Sequence, residues 1–305
     1  MKHRHPWIMP ALSLALFLGI AWVIHRELAH LSLATVLDQL RALPRHAVLL
    51  AIVGVFASYG VLSGYDWLAL RHQRRMVPYP HVLLTSFVAY VFAQNFGFSA
   101  LTGGAVRYRL YATHGLGALE VAGIALFSSL TTALGVSVVT GASLLLAPAH
   151  AVRVLHLPGA LVMLLGAAML LVPLAYALLA FHGPQQVGWR GWALRVPRPA
   201  IALPQILVGS FDLALVGVLL WLLLPPAVGI GPLTFIGIYA IAVVTATLSH
   251  VPGGLGVLEA VIVIALPQID ADQVVGALVA WRVIQYLLPL LVAATAFSVH
   301  QLRGR

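Results

Sequence analysis

Long apolar stretches separated by short polar segments run through the whole chain. A helix needs about 20 mainly apolar residues to cross a bilayer, and no segment between the apolar stretches exceeds about 25 residues, too few for an independent core. The pattern predicts one all-α, polytopic membrane domain over residues 1–305. The candidate helices are Trp7–Ile24, Ala47–Leu70, Val82–Phe98, Leu119–Ala147, Gly159–Phe181, Gln205–Leu224, Leu233–Leu248, Leu255–Pro267 and Gly276–Val299.

The first of these stretches could be read as a signal peptide, since Lys2 and Arg4 precede it. It is long for the apolar region of a signal peptide, and it ends in Ile24-His-Arg-Glu27 without a small-residue cleavage site. We therefore interpret it as an uncleaved membrane helix.

Two stretches differ from simple spans because glycine-rich segments interrupt them. Val82–Phe98 leads into Gly103 and Gly104, and Leu233–Leu248 leads into Ser249-His-Val-Pro-Gly-Gly-Leu-Gly256. The apolar piece that follows the second break is too short to cross comfortably. Both regions are candidates for re-entrant hairpins, over residues 82–116 and 233–267, although Val82–Phe98 is long enough to cross alone.

The distribution of positive charge favours these hairpins. If all nine stretches crossed from a cytoplasmic N-terminus, ten Lys and Arg residues would lie outside against six inside, which violates the positive-inside rule. With two hairpins, six helices cross and both termini are cytoplasmic. Lys2, Arg4, Arg71, Arg74, Arg75, Arg107, Arg109, Arg190, Arg195, Arg198, Arg303 and Arg305 then lie inside, and Arg26, Arg41, Arg45 and Arg153 lie outside.

The two interrupted regions also resemble each other. Tyr90 precedes Gly103 by thirteen residues, and Tyr239 precedes Gly253 by fourteen. Two similar elements that enter from opposite faces would form an inverted repeat, an arrangement that places a site near the membrane midplane in secondary transporters. Coincidence is the alternative, because glycine breaks are common in membrane helices.

Composition narrows the class further. Only 8% of the residues are charged, 61% are hydrophobic, and there is no cysteine, which excludes disulfides, thiolate zinc sites and thiol chemistry. The formal net charge of +9 is interpreted as loop arginines beside an anionic leaflet rather than as nucleic-acid binding. The scattered histidines predict neither a metal nor another cofactor.

The first candidate site follows the first break. Gly103 and Gly104 would let a helix begin with its amide groups aimed at an anion, and Arg107 would lie one turn later. We expect Arg107 to contact a lipid phosphate, whereas Tyr108 and Arg109 also fit anchors at the headgroup layer.

The second candidate site follows the second break, where Pro252, Gly253, Gly254 and Gly256 form a hinge. Glu259 lies in an apolar stretch, where a charge needs a partner, and Arg282 is expected to pair with it. The pair is either structural or part of a gate. His250 would hydrogen-bond, ligate or shuttle protons.

Two further carboxylates lie in apolar stretches. Asp212 has no obvious local partner and is grouped with the gate. Asp66 lies near a predicted cytoplasmic helix end close to Arg71, so an interfacial role is expected.

Three motifs carry a family resemblance over nearly the whole chain. They are Gly-Gly-Ala-Val-Arg-Tyr-Arg-Leu-Tyr (103–111), Ser-His-Val-Pro-Gly-Gly-Leu-Gly-Val-Leu-Glu (249–259) and Ala-Trp-Arg-Val-Ile-Gln-Tyr (280–286). They resemble the transmembrane part of lysylphosphatidylglycerol synthase/flippase proteins, the multiple peptide resistance factor family. The resemblance implies a stand-alone lipid-handling module of a bacterial inner membrane, without the soluble domain that makes the lipid.

The main expectation is a non-enzymatic translocase or binding module for an anionic or aminoacylated phospholipid. An accessory protein for a separately encoded envelope-lipid synthase or glycosyltransferase is the second interpretation. An intramembrane enzyme that uses Glu259 or Asp212 as acid and base is the third. A homo-oligomer is compatible with each of them.

Overall fold

The computed structural model describes residues 43–96, 99–183, 186–189, 192–225, 229–249, 256–269 and 271–303. The helices in chain order are α1 Arg45–His72, α2 Tyr79–Phe96, α3 Ser99–Tyr111, α4 Ala118–Leu146, α5 Pro148–Leu155, α6 Gly159–His182, α7 Pro199–Trp221, α8 Pro232–Leu248, α9 Val257–Ala265, α10 Ala271–Arg282 and α11 Leu288–Arg303. A short 3₁₀ helix, Ala112–His114, follows α3, and a π-helical turn, Val283–Leu287, joins α10 to α11.

Five apolar helical segments are long enough to cross a membrane. They are α1, α4, α6, α7 and the continuous segment Gln273–Thr295, which runs from α10 through the π turn into α11. Five of the six predicted crossings are thereby confirmed, with ends shifted by a few residues. The predicted first crossing, Trp7–Ile24, lies outside the described residues.

The outer surface of α6 shows why this bundle needs a lipid environment. Only Val162, Gly166 and Pro173 are buried in this 24-residue helix, whereas leucines such as Leu164 and Leu171 are more than half exposed. Water does not stabilise a leucine-covered helix face of this size, but hydrocarbon does. The protein is therefore a polytopic, all-α membrane protein.

Helices α2 and α3 form an antiparallel hairpin, in which the start of α2 lies beside the end of α3. Near the connection, Gly103 of α3 lies against Ala89 and Ala93 of α2. At the open end, the rings of His81 and His114 are 4.6 Å apart. The hairpin thus returns to the end of the bundle at which it starts.

That end is marked by arginines, and we call it the Arg-rich end. It contains the end of α1 and the start of α4, because Arg75 forms an ion pair with Glu120. It also contains the start of α7, since Arg198 lines the same cavity as Arg71 and Arg74.

Helices α8 and α9 form the second hairpin, at the opposite end. Gly237 in α8 lies against Ser143, near the end of α4. Both arms also contact the short helix α5, which connects the far ends of α4 and α6. The two hairpins therefore extend into the bundle from opposite ends.

The order of elements repeats along the chain. Helix α1, the α2–α3 hairpin and α4 are followed, after α6, by helix α7, the α8–α9 hairpin and the α10–α11 segment. Three long helices, α1, α4 and α6, separate the starts of the two units. Because three is odd, the second unit runs opposite to the first, which is the geometry of an inverted repeat.

Small residues let the long helices approach closely. Gly135 of α4 faces Gly209 of α7, and Gly141 of α4 faces Gly166 of α6. Membrane helices use such glycine contacts to pack backbone against backbone.

Two local features differ from the sequence prediction. Residues Gln186–Trp189 and Trp192–Arg195 form a two-stranded antiparallel hairpin between α6 and α7, in a segment for which no structure was predicted. Helix α7 begins at Pro199 rather than Gln205, because proline is tolerated in the first turn of a helix and the apolar pattern alone does not mark that start.

Cysteine labelling tests the ends of the two hairpins, and the native chain contains no cysteine to remove. We expect Met76→Cys and Ala112→Cys to react with an impermeant maleimide from one side of the membrane, the cytoplasmic side. Ala149→Cys and Ala271→Cys should react from the other. Labelling of Ala112→Cys from the side that labels Ala149→Cys would show that the first hairpin crosses the membrane.

The contact between α4 and α7 predicts a stability change. A Cβ at position 209 would overlap the Thr131 carbonyl oxygen, so Gly209→Ala should lower the free energy of unfolding by about 1–3 kcal/mol. Thermal unfolding in detergent measures this change. Gly60→Ala in α1 is the control, because its Cβ would meet no atom within 4 Å. Equal melting temperatures for the two variants would contradict the packing.

Candidate functional site

A buried ion pair fixes the first hairpin to the helix that precedes it. Arg107 Nε donates to Asp66 Oδ2 at 2.9 Å, and Arg107 Nη2 donates to Asp66 Oδ1 at 2.9 Å. The Tyr111 hydroxyl donates to Oδ2 at 3.0 Å, and the Ser128 hydroxyl to Oδ1 at 3.4 Å. The Arg107 guanidinium also lies 4.5 Å from the centre of the Tyr90 ring. Four helices, α1 to α4, thus contribute to one polar cluster.

This arrangement corrects the expected position of Asp66. Its side chain is fully buried, whereas the sequence predicted an interfacial residue near Arg71. The carboxylate lies six residues before the end of α1 and faces α3. Its partner is 41 residues away in sequence, so local spacing could not reveal it.

The geometry also changes the interpretation of Arg107. Its side chain is only 4% exposed, and both guanidinium nitrogens named above are engaged by Asp66. A fork that holds a carboxylate in this way does not offer the same donors to a lipid phosphate. Contact between Arg107 and a phosphate would first require separation from Asp66.

Gly103 and Gly104 lie inside α3, which begins at Ser99. The expectation that a helix starts after this pair was therefore wrong, and the amide groups there lie within the helix rather than in its first turn. Gly103 serves close packing, because its Cβ would lie 3.2 Å from the Ala89 carbonyl oxygen, whereas Gly104 faces open space.

Tyr108 and Arg109 are on the outer part of α3. Tyr108 is half exposed, and Arg109 is partly exposed in the last turn of the helix. Their exposure near the Arg-rich end is compatible with contacts to lipid headgroups.

Asp212 lies in the middle of α7 and faces α1. It accepts a hydrogen bond from the Ser58 hydroxyl at 2.9 Å and one from the Tyr65 hydroxyl at 3.3 Å. No ion pair to this carboxylate is present among the described residues. Asp212 therefore connects α7 to α1, the first helices of the two units, through neutral donors. The polar residues Ser58 and Tyr65 in the apolar helix α1 were the sequence signal for this contact.

The π-helical turn Val283–Leu287 receives the inner end of the first hairpin. A π turn is wider than an α turn and often marks a functional site. Its Gln285 carbonyl oxygen accepts a hydrogen bond from Tyr59, whose hydroxyl also contacts Gln94 Oε1. The Tyr286 carbonyl oxygen lies 3.4 Å from Asn95 Nδ2. The end of α2 is thus attached to this turn.

The second hairpin is attached one residue before the same turn. Arg282 Nη2 lies 2.5 Å from Glu259 Oε1, and Arg282 Nε donates to the same oxygen at 2.6 Å. The predicted Glu259–Arg282 pair is confirmed. Glu259 Oε2 also accepts the amide of Gly256 at 2.9 Å, so the carboxylate stabilises the start of α9 as well.

Of the predicted hinge, Gly256 is described. Its φ of +78° is left-handed, a region that glycine adopts without a steric penalty. Pro252, Gly253, Gly254 and His250 lie outside the described residues.

The structure thus separates the predicted site residues into three groups. Arg107 belongs to the buried cluster with Asp66, Asp212 belongs to the contact between α1 and α7, and Glu259 with Arg282 belongs to the turn where both hairpins meet. We call residues 282–287 the junction. Gln285 of the junction and its neighbours Tyr59 and Gln94 were not predicted as site residues. Polar side chains in apolar helices are nevertheless a signal of such a site.

The polar atoms of the junction differ in how far they are exposed and paired. The Glu259 and Arg282 side chains keep 22% and 17% of their surface exposed, and the buried Gln285 Oε1 lacks a hydrogen-bond partner in the described part of the protein. The same described part contains no cluster of three His, Asp or Glu residues able to hold a metal.

Comparisons with known proteins agree with the resemblance carried by the three motifs. Residues 11–293 match the family described as the lysylphosphatidylglycerol synthase TM region. An uncharacterised protein of Synechocystis sp. is 31% identical, over 96% of this chain and 91% of its own length. The inner membrane protein YbhN of Escherichia coli is 30% identical, over 83% of this chain and 80% of its own.

A more distant similarity is to longer proteins. Phosphatidylglycerol lysyltransferase of Staphylococcus xylosus is 24% identical over 93% of this chain, but the match covers 33% of that protein. The region similar to this chain is therefore about one third of the staphylococcal protein.

Removal of one charge from the buried pair should destabilise the fold. Arg107→Ala leaves Asp66 buried without a cation, at an expected loss of about 3–5 kcal/mol in the free energy of unfolding. Asp66→Leu/Arg107→Met should recover most of that loss, since an apolar pair needs no counter-charge. Unfolding in detergent measures both.

Arg75→Ala is the matched control, because its ion pair with Glu120 is at the surface and such pairs contribute about 0–1 kcal/mol. A loss in Arg107→Ala no larger than in Arg75→Ala would contradict a structural role for the buried pair.

Proposed function

Because the chain belongs to the family of lysylphosphatidylglycerol synthase transmembrane regions, we propose that it moves an anionic or aminoacylated phospholipid between the leaflets of a bacterial inner membrane. The observation that supports this proposal is the meeting of two oppositely directed hairpins at the junction. In this proposal the hairpins are re-entrant, the chain is one domain, and it makes or breaks no covalent bond.

A lipid headgroup needs a polar path through hydrocarbon. Irregular and charged elements at membrane depth are tolerated where they are buried in protein or line a wet cavity. The part-exposed Glu259–Arg282 pair offers charges near the middle of the segment Gln273–Thr295. Movement of a hairpin would expose the Gln285 amide, whose Oε1 is buried in this structure. They are the residues proposed to contact the headgroup.

In this proposal, the inverted order of the two units supports alternating access. One hairpin opens towards the Arg-rich end and the other towards the opposite end, so movement of each would expose the junction to one leaflet at a time. The Glu259–Arg282 pair is the proposed gate of the second hairpin, with the left-handed Gly256 as its hinge. Asp212 in α7 is hydrogen-bonded to α1 and is proposed to couple the movements of the two units.

Leaflet exchange of labelled phospholipid in proteoliposomes tests the proposal. The wild-type protein should accelerate exchange over empty liposomes. Glu259→Gln should reduce it about tenfold, since the neutral side chain loses the charge that is proposed to contact the headgroup. Glu120→Gln is the control, because Glu120 also caps a helix and pairs with an arginine, but at the surface.

The panel should include anionic, zwitterionic and aminoacylated phospholipids, each with and without a pH gradient. Wild-type exchange no faster than that of empty liposomes across the panel would overturn the translocase proposal. Equal exchange rates for Glu259→Gln and Glu120→Gln would overturn the proposed gating role of the Glu259–Arg282 pair.

The length of the staphylococcal relatives favours one alternative. Because the similar region is joined there to about twice its own length of additional chain, this protein could instead support a separately encoded envelope-lipid synthase or glycosyltransferase. That function predicts co-purification with such an enzyme and no leaflet exchange by the protein alone.

A further inference from the structure

A cavity of about 1070 Å³ lies at the Arg-rich end, between the end of α1 and the start of α7. Its volume is at the upper end of the range of small-molecule sites, about 300–1,000 Å³. The cavity is outside the junction, since none of residues 282–287 lines it.

The walls of this cavity carry an excess of positive charge. Arg71, Arg74, Arg75 and Arg198 line it, and none of the described lining residues is a carboxylate. Arg75 is paired with Glu120. Arg74 and Arg198 are exposed and form no ion pair with a described residue, so their donors are available to an anion.

The fold orients one of these arginines and places a second at the end of α1. The Arg71 guanidinium lies 4.0 Å from the centre of the Trp67 ring, a cation–π contact that orients it. Arg74 has a φ of +58°, at a helix end where glycine is the usual residue. The amide of Arg75 donates to the Leu70 carbonyl oxygen, so this left-handed residue ends α1 and places Arg74 in the cavity wall.

The remaining lining is apolar. Met76 is 98% exposed at the end of α1, and Val77 and Ile201 complete the wall. A site for a small soluble anion needs no apolar wall of this kind, whereas a lipid presents a phosphate and an acyl chain together. Basic cavities between membrane helices on the cytoplasmic side are typical sites for anionic headgroups.

We propose that this cavity binds the phosphate of an anionic phospholipid, through Arg74 after α1, Arg198 before α7 and Arg71 stacked on Trp67. The apolar wall with Met76 receives the first part of the acyl chain. The site goes beyond the proposed function, because it lies at one end of the bundle and requires no passage of lipid between leaflets.

Native mass spectrometry of the full chain, released from detergent, tests the site with dioleoyl phosphatidylglycerol. Dioleoyl phosphatidylcholine tests the need for net negative charge, and glycerol 1-phosphate tests whether a free phosphate suffices. The wild type should retain phosphatidylglycerol in preference to both. Arg74→Gln/Arg198→Gln should weaken that binding about thirtyfold. Each arginine near an anionic surface contributes about 1 kcal/mol to binding, and the loss of two corresponds to about this change in affinity.

Arg45→Gln/Arg153→Gln is the matched control, since it removes two exposed arginines at the opposite end of the bundle. Its binding of phosphatidylglycerol should equal that of the wild type. Because all four side chains are exposed, both double variants should fold. Their melting temperatures, which should equal that of the wild type, check this.

Three results would overturn the proposal. They are unchanged phosphatidylglycerol binding by Arg74→Gln/Arg198→Gln, equal binding of phosphatidylcholine by the wild type, and equal binding of glycerol 1-phosphate. The measurement is of binding alone, so absence of leaflet exchange would overturn the proposed function and leave this site standing.

Discussion

A charge on a helix inside a bilayer has no water to solvate it, and this constraint explains how both hairpins are held. Each returning helix carries one charged side chain towards the bundle, Arg107 in α3 and Glu259 in α9. Each of these is met by an opposite charge on a neighbouring long helix, Asp66 in the first case and Arg282 in the second. The hairpins are thus fixed by electrostatic contacts that hydrocarbon makes obligatory.

The two ion pairs differ in burial, and this difference suggests a structural role for one pair and a functional role for the other. Asp66–Arg107 is almost fully buried and satisfied by four helices. Glu259–Arg282 is partly exposed and stands beside a turn with an unpartnered amide oxygen. The first pair is suited to keep α3 attached to α1, and the second is suited to open.

The sequence predicted the long helices well because hydropathy over about 20 residues and the distribution of arginines are strong constraints. It also predicted Glu259 with Arg282, since few charges lie in those apolar stretches. It did not predict Asp66 with Arg107, whose pairing depends on how α1 packs against α3. Nor could it reveal the π turn, because Val283–Leu287 reads as ordinary helix and the residues that contact it lie far away in sequence.

The π turn has a consequence for the last helix. A π turn contains about one residue more than an α turn, so its conversion to regular helix would rotate α11 by about 100° relative to α10. Tyr59 and Asn95 hold the widened turn on one side, and the Glu259–Arg282 pair stands at its start. Loss of the contacts that either hairpin makes with the junction would therefore favour regular helix there and rotate α11 about its axis.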